Sequence, residues 1–158
     1  MASTTTGQFR HSFWDPILII AQIFTIQSLF YTSLCFLIVI ICALTQYTPS
    51  LLYVFGYRVI NVTTVFGFFL AFVHLLNTLC GAIYLWFFVQ RAKSCLDFSV
   101  TTYTFHFIFS TMYNGHFPNT YSWWIVNIIC LASMCICGEF LCVRSETKAI
   151  PLSQKSDV

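Results

Sequence analysis

The sequence predicts an all-α, polytopic membrane protein with four transmembrane helices and cytosolic N- and C-termini, built as one integral membrane domain over residues 1–158. Two observations carry the fold class, and a third sets its orientation. Apolar stretches fill residues 16–44, 63–90, 98–113 and 122–143, separated only by short polar segments. The chain is 58% hydrophobic and 8% charged, with a mean hydropathy of +0.80, a balance that a soluble domain of this size does not carry. Six of the seven Lys and Arg residues fall on one side of the spans: Arg10, Arg91, Lys93, Arg144, Lys148 and Lys155, with Arg58 alone on the other.

A helix needs about 20 apolar residues to cross the roughly 30 Å hydrocarbon core. Backbone groups inside lipid must be satisfied within the protein, so only helices or closed barrels cross. Barrel strands alternate polar and apolar residues over about ten positions, whereas residues 17–41 hold only the scattered Gln22, Thr25, Gln27, Ser28, Thr32 and Ser33 among aliphatics and aromatics. Each stretch is therefore read as a helix.

The first helix opens at Asp15-Pro16, an N-cap acceptor followed by a ring whose φ suits the first helical position, with Trp14 in the interfacial aromatic belt. Its apolar run is too long for a cleavable leader and no small-residue cleavage site follows, so it is expected to stay as a signal anchor. The second stretch carries His74 and Asn77 three residues apart on one face. The third, at 98–113, is short and holds Ser99, Thr101, Thr102, Thr104 and His106, so it must be shielded by its neighbours or cross a thinned bilayer. Its competing reading is a re-entrant or interfacial helix, which puts the termini on opposite sides. Asp97 is expected to cap it. Phe117-Pro118 breaks the chain before the fourth helix, which Ser122 is expected to cap ahead of the belt pair Trp123 and Trp124. Residues 144–158 are mixed in charge, contain Pro151 and read as a flexible tail. Under the positive-inside rule the 91–97 loop and both termini face the cytosol.

Chemistry-bearing residues each have a plain alternative. None of the eight cysteines forms a C-x-x-C pair, which favours packing over metal or disulfide chemistry. Cys95 and Cys142 sit near the cytosolic interface, where reversible palmitoylation occurs. His74, Asn77 and His106 suit interhelical hydrogen bonding better than a proton or ion path, because Asp97 and Glu139 lie at the cytosolic ends, away from mid-membrane. Glu139 is read as a partner for Arg91 or Lys93. Asn61-Val62-Thr63 fits the glycosylation pattern but abuts the second span, and Gly67 with Ala71 makes a small-xxx-small pair. No phosphate-binding, nucleophile-elbow, zinc-protease or dinucleotide motif is present and no connection reaches 20 residues, so neither enzyme activity nor a cofactor is expected.

Four patches on or near the span ends resemble the Sys family of Golgi membrane proteins: Phe9-Arg10 with Trp14-Asp15-Pro16; 91–98 followed by Val100-Thr101 and His106; Phe117-Pro118 with Trp123-Trp124; and 138–142 leading into 144–152. Their order and spacing run nearly the full length, and nothing is carried over for 47–62. The resemblance implies an integral protein of the trans-Golgi network. It would recruit an N-terminally acetylated, Arf-related small GTPase and support vesicle traffic and endosome-to-Golgi transport. An acetylated amphipathic helix anchors only marginally, since even one myristoyl chain binds reversibly, so a membrane receptor supplies the second signal. The expected partners are that GTPase and the lipid bilayer, with no nucleic acid. Position at the cytosolic ends nominates Trp14, Asp15, Arg91, Lys93, Asp97, Glu139 and Arg144 as partner-binding residues. The alternatives are a channel or transporter subunit working through His74, Asn77 or His106, and a cargo adaptor working through the tail.

Overall fold

The computed structural model describes residues 16–149, with backbone alone for 148 and 149. Within these residues five helices follow one another: α1 (Pro16–Thr45), α2 (Leu52–Phe55), α3 (Val65–Phe88), α4 (Ala92–Asn114) and α5 (Tyr121–Ala149). Among the described residues there is no strand. Among the described residues three helices are long and apolar enough to cross a membrane, α1, α3 and the Tyr121–Thr147 part of α5. In the bundle α3 packs against both α1 and α5, α5 packs against α4, and a sparse α1–α4 contact closes the ring.

The fourth member of the ring, α4, differs from its sequence reading. It has 23 residues, about 35 Å at 1.5 Å per residue, and begins at Ala92 instead of residue 98. Four of its polar side chains face inward: Ser99, Thr102, His106 and Ser110 recur every three or four residues and are buried, while Leu96, Val100, Ile108 and Met112 point outward together with the polar Lys93, Asp97 and Thr104. In a spanning helix only the outer face would meet lipid, so low overall apolarity does not by itself exclude α4 from a membrane. Asp97 lies in the second turn of α4 and does not cap it; Arg91 occupies the N-cap position. Ser122 likewise lies inside α5. The last helix continues to Ala149, so residues 144–149 are helical and not part of a flexible tail. A tail over 150–158 lies outside the described residues.

Two helices carry core stripes of strict i+4 spacing. On α1 these are Ile26, Phe30, Leu34, Ile38 and Cys42; on α5 they are Cys130, Met134, Gly138 and Cys142. Because lipid is as apolar as leucine, such contacts hold helices together through close van der Waals packing. Glycine makes that packing possible between α3 and α5. A Cβ on Gly138 would sit 2.9 Å from Leu85 Cδ1, and one on Gly81 would sit 3.0 Å from the Met134 thioether. Gly67, by contrast, lies beneath the preceding loop, where a Cβ would collide with the Asn61 carbonyl and the Thr64 hydroxyl. Of the small-xxx-small pair of the sequence, Gly67 thus meets the loop, while Ala71 lines a groove shared with Val126, Ile129 and Cys130 of α5.

The α1–α3 connection folds back into one end of the bundle. α1 stops at Gln46, which adopts left-handed φ of 60° so that Tyr47 N–H reaches the Cys42 carbonyl at 3.0 Å. Val54, Tyr57 and Ile60 are then buried, and Ser110 Oγ and Asn114 Nδ2 each donate to the Phe55 carbonyl at 2.7 Å. Thr64 caps α3 by accepting from Gly67 N–H at 3.2 Å. Asn61 Oδ1 accepts from Thr63 through both N–H, at 3.1 Å, and hydroxyl, at 2.9 Å. The carbonyl end of the sequon amide is therefore engaged in a local turn.

Candidate interaction surface at the α3–α4 turn

Three residues, Val89, Gln90 and Arg91, join α3 to α4. Gln90 takes φ of 53°, a conformation uncommon outside glycine and asparagine, and both its N–H (3.3 Å) and that of Val89 (2.9 Å) point to the Leu85 carbonyl. Arg91 is extended at the N-cap and supplies no side-chain cap. The cap comes from α5 instead: Glu146 Oε1 accepts from Ala92 N–H at 3.1 Å. A carboxylate at a helix N-terminus meets the positive end of the helix dipole. One turn further in, Cys95 Sγ lies 3.4 Å from Cys142 Sγ and 3.4 Å from the Arg91 carbonyl. The first turn of α4 is thus pinned to the last turns of α5, and the carboxylate that reaches it is Glu146, not Glu139.

The nominated residues separate into groups on this scaffold. Arg91, Lys93, Asp97, Glu139 and Arg144 are all exposed. Arg91 and Asp97 come together on the rim of a 560 Å³ cleft between α1 and the α3–α4 turn. Lys93 stands outside this cleft, and so do Glu139 and Arg144 on α5. Trp14 and Asp15 lie outside the described residues. Cys95 and Cys142 are both 0% exposed, so acylation of either thiol requires α4 and α5 to part locally.

The cleft also contains residues that position alone had not nominated. Ser94 and Thr101 join Asp97 on one face of α4 at i, i+3 and i+7, and Gln22 faces them from α1. Gln22 Nε2 donates to the Phe88 carbonyl at 2.9 Å, tying the start of α1 to the end of α3. Their signal in the sequence was an amide inside an otherwise apolar run and a polar stripe at helical spacing.

A second polar cluster lies inside the bundle. Asn77, 0% exposed, donates to the Phe30 carbonyl at 3.2 Å and accepts from Ser33 Oγ at 2.6 Å, so it joins α3 to α1. His74 and His106 approach to 6.0 Å between ring centroids, and Tyr31 OH lies 3.4 Å from His106 Nδ1. The His106 ring is 1% exposed and stacks on Trp123 at 13° between planes. Among the described residues no group of three or more His, Cys, Asp or Glu could hold a metal ion, and all eight cysteines are free. Asn77 thus joins two helices by hydrogen bonds, while His106 Nε2 is buried with no hydrogen-bond partner among the described residues.

Comparison with known proteins adds what geometry alone does not. A family model described as SYS1, "Integral membrane protein S linking to the trans Golgi network", matches residues 9–152. The chain is 44% identical over 148 residues to "Protein SYS1 homolog" of Nematostella vectensis, covering 94% of each. It is 36% identical over 150 residues to "Protein SYS1 homolog" of Dictyostelium discoideum, covering 95% of this chain and 64% of that one. "Protein SYS1" of Saccharomyces cerevisiae matches at 27% identity over 122 residues, 77% of this chain and 60% of the yeast protein. No solved structure matches.

Proposed function

The chain belongs to the SYS1 family of integral membrane proteins, and from that premise we propose that it is a trans-Golgi receptor that recruits an N-terminally acetylated, Arf-related small GTPase. Recruitment supports Golgi vesicle traffic and endosome-to-Golgi transport. The observation that carries the reading is the exposed group of Arg91, Lys93 and Asp97 at the α3–α4 turn, whose backbone is capped by Glu146, with the exposed charges Glu139 and Arg144 on α5. All four long helices span the membrane in this reading. The inward polar face of α4 supports its crossing, and the excess of Lys and Arg at the turn and chain ends supports a cytosolic orientation for both.

Docking then has two parts. The apolar face of the GTPase helix enters the interface beside the span ends, and its polar face meets the charged turn. A helix held by one marginal membrane signal gains a second from this contact. The Glu146 cap and the buried Cys95 and Cys142 contact keep the turn in place before the partner arrives, which lowers the ordering cost of association.

The direct test uses the full chain in nanodiscs and the acetylated GTPase in solution. Replacing Arg91→Glu and Lys93→Glu together is expected to weaken binding about tenfold or more, equivalent to about 1.4 kcal/mol, and to change its salt dependence. Unchanged affinity, in a variant with intact fold and topology, would remove the turn as the docking surface.

A further inference from the structure

The polar groups inside the bundle are satisfied unevenly. On α4 the buried hydroxyls of Thr102 and Ser110 donate to the Phe98 carbonyl at 2.9 Å and to the Phe55 carbonyl at 2.7 Å. Ser99 is fully buried and makes no such bond, although a helical serine is able to reach the carbonyl one turn back. Both ends of the Gln27 amide on α1 are likewise buried with no hydrogen-bond partner among the described residues, as is His106 Nε2. These groups come from the two helices whose sparse contact closes the ring. Ile23 and Phe98 line one cleft, and eight residues further along both helices Tyr31 meets His106, so α1 and α4 run in the same direction. Gln27, midway between Ile23 and Tyr31, is therefore level with the α4 turn that follows Ser99. Its amide approaches the Tyr31 hydroxyl without hydrogen-bonding geometry, and Tyr31 OH makes only a long contact, 3.4 Å, with His106 Nδ1.

We propose that the α1–α4 seam is an internal hydration site, a short file of ordered water that bonds Gln27, Ser99, Tyr31 and His106. The water enters from the cleft, whose lining includes Ile23, one turn before Gln27, and Phe98, next to Ser99. The chemistry of the groups selects water over an ion. An amide, two hydroxyls and an imidazole offer donors and acceptors together, with no carboxylate, lysine or arginine among them. A cation would face the amide N–H groups, and an anion would face the amide carbonyl. A buried water bonds about three polar groups at once, which suits a set of orphaned atoms distributed over two helices. The seam on the other side of the bundle is closed instead by apolar contact: Gly81 and Gly138 let α3 and α5 approach over Met134 and Leu85, both fully buried. The inference needs only a bundle seated in a membrane; it does not require GTPase recruitment.

The test exposes the full chain in nanodiscs to X-ray pulses, which generate hydroxyl radicals from water, and reads side-chain oxidation by mass spectrometry. Radicals form at bound water as well as in bulk, so a buried ring beside ordered water is oxidised and a side chain in a dry interior is not. Each rate is normalised to that of the same residue in an unfolded peptide. Tyr31 and His106 are expected to be oxidised several-fold faster than Met134. His106 is the stricter reporter, because its ring is as buried as the Met134 thioether. Gln27→Leu keeps the side-chain volume and removes both orphaned amide groups. It should lower the rates at Tyr31 and His106 several-fold and leave Met134 unchanged, in a protein first shown to be monodisperse with the thermal midpoint of the intact chain. Should that variant not fold, the comparison within the intact chain decides alone. Rates at Tyr31 and His106 no higher than at Met134 would overturn the site. Undiminished rates in a folded Gln27→Leu protein would overturn it as well.

Discussion

Gly138→Leu is expected to destabilise the bundle by about 1–3 kcal/mol, the usual cost of forcing extra side-chain volume into a packed interface. The Cβ alone would stand 2.9 Å from Leu85 Cδ1, 3.5 Å from Leu85 Cβ and 3.9 Å from Ala82 Cα. Alanine asks only that the far end of one flexible leucine move, so Gly138→Ala should be tolerated with a small change. Leucine needs space already filled by Leu85, which is 0% exposed, so α5 must tilt away from α3. That tilt also moves Glu146 and Cys142 from the start of α4. Thermal unfolding in detergent should therefore show a lower midpoint for Gly138→Leu than for Gly138→Ala. Equal midpoints for the two variants would show that the α3–α5 contact is looser than the geometry requires.

His106→Ala is the second large effect. The ring lies within 6.5 Å, centroid to centroid, of Tyr31, Phe55, His74, Tyr103 and Trp123, so truncation empties the centre of an aromatic cluster contributed by α1 to α5. Truncating a buried ring typically costs about 3 kcal/mol or more, and aromatic pairs add to their simple packing. His106→Phe keeps the stack on Trp123 and loses the approach of Tyr31 OH to Nδ1, so it should recover most of the stability. The same pair of variants separates packing from transport. If the histidine is there to hold helices together, His106→Phe supports GTPase recruitment at the level of the intact chain. A recruitment defect in a stably folded His106→Phe protein would assign the ring a direct functional role.

The hydrophobic stretches made the helical class readable, because lipid requires continuous apolar surface. They also placed α1 and α3 closely. The α4 boundaries were harder for a physical reason: Ser99, Thr102, His106 and Ser110 lower its apolarity, yet they face the bundle and not lipid. The start of α4 was misplaced because Asp97 looks like a cap, while the actual cap, Glu146, is 54 residues away in sequence. The tight turn depends on left-handed Gln90, a residue type that does not announce that conformation. The cluster of His74, Asn77 and His106 was visible as polar residues in apolar runs. Its division was not: Asn77 turns to the α1 backbone, while the two histidines meet each other.

Among the candidate site residues, the exposed charges were legible from their position at span ends. Which of them share a cleft was not, since Gln22 and Arg91 meet only when α1 closes the ring beside α4. The thiols of Cys95 and Cys142 likewise look like interfacial acylation sites in sequence and lie buried against each other in the fold. In both cases the missing information is tertiary: which element covers a given helix face.

The receptor account is tested most directly by the location of the acetylated Arf-related GTPase in cells lacking this protein, with the intact chain or the Arg91→Glu/Lys93→Glu chain returned. The account predicts that the GTPase leaves the Golgi in its absence, returns with the intact chain, and stays dispersed with the charge-reversed one. A GTPase that remains on the Golgi in cells without the protein would contradict it.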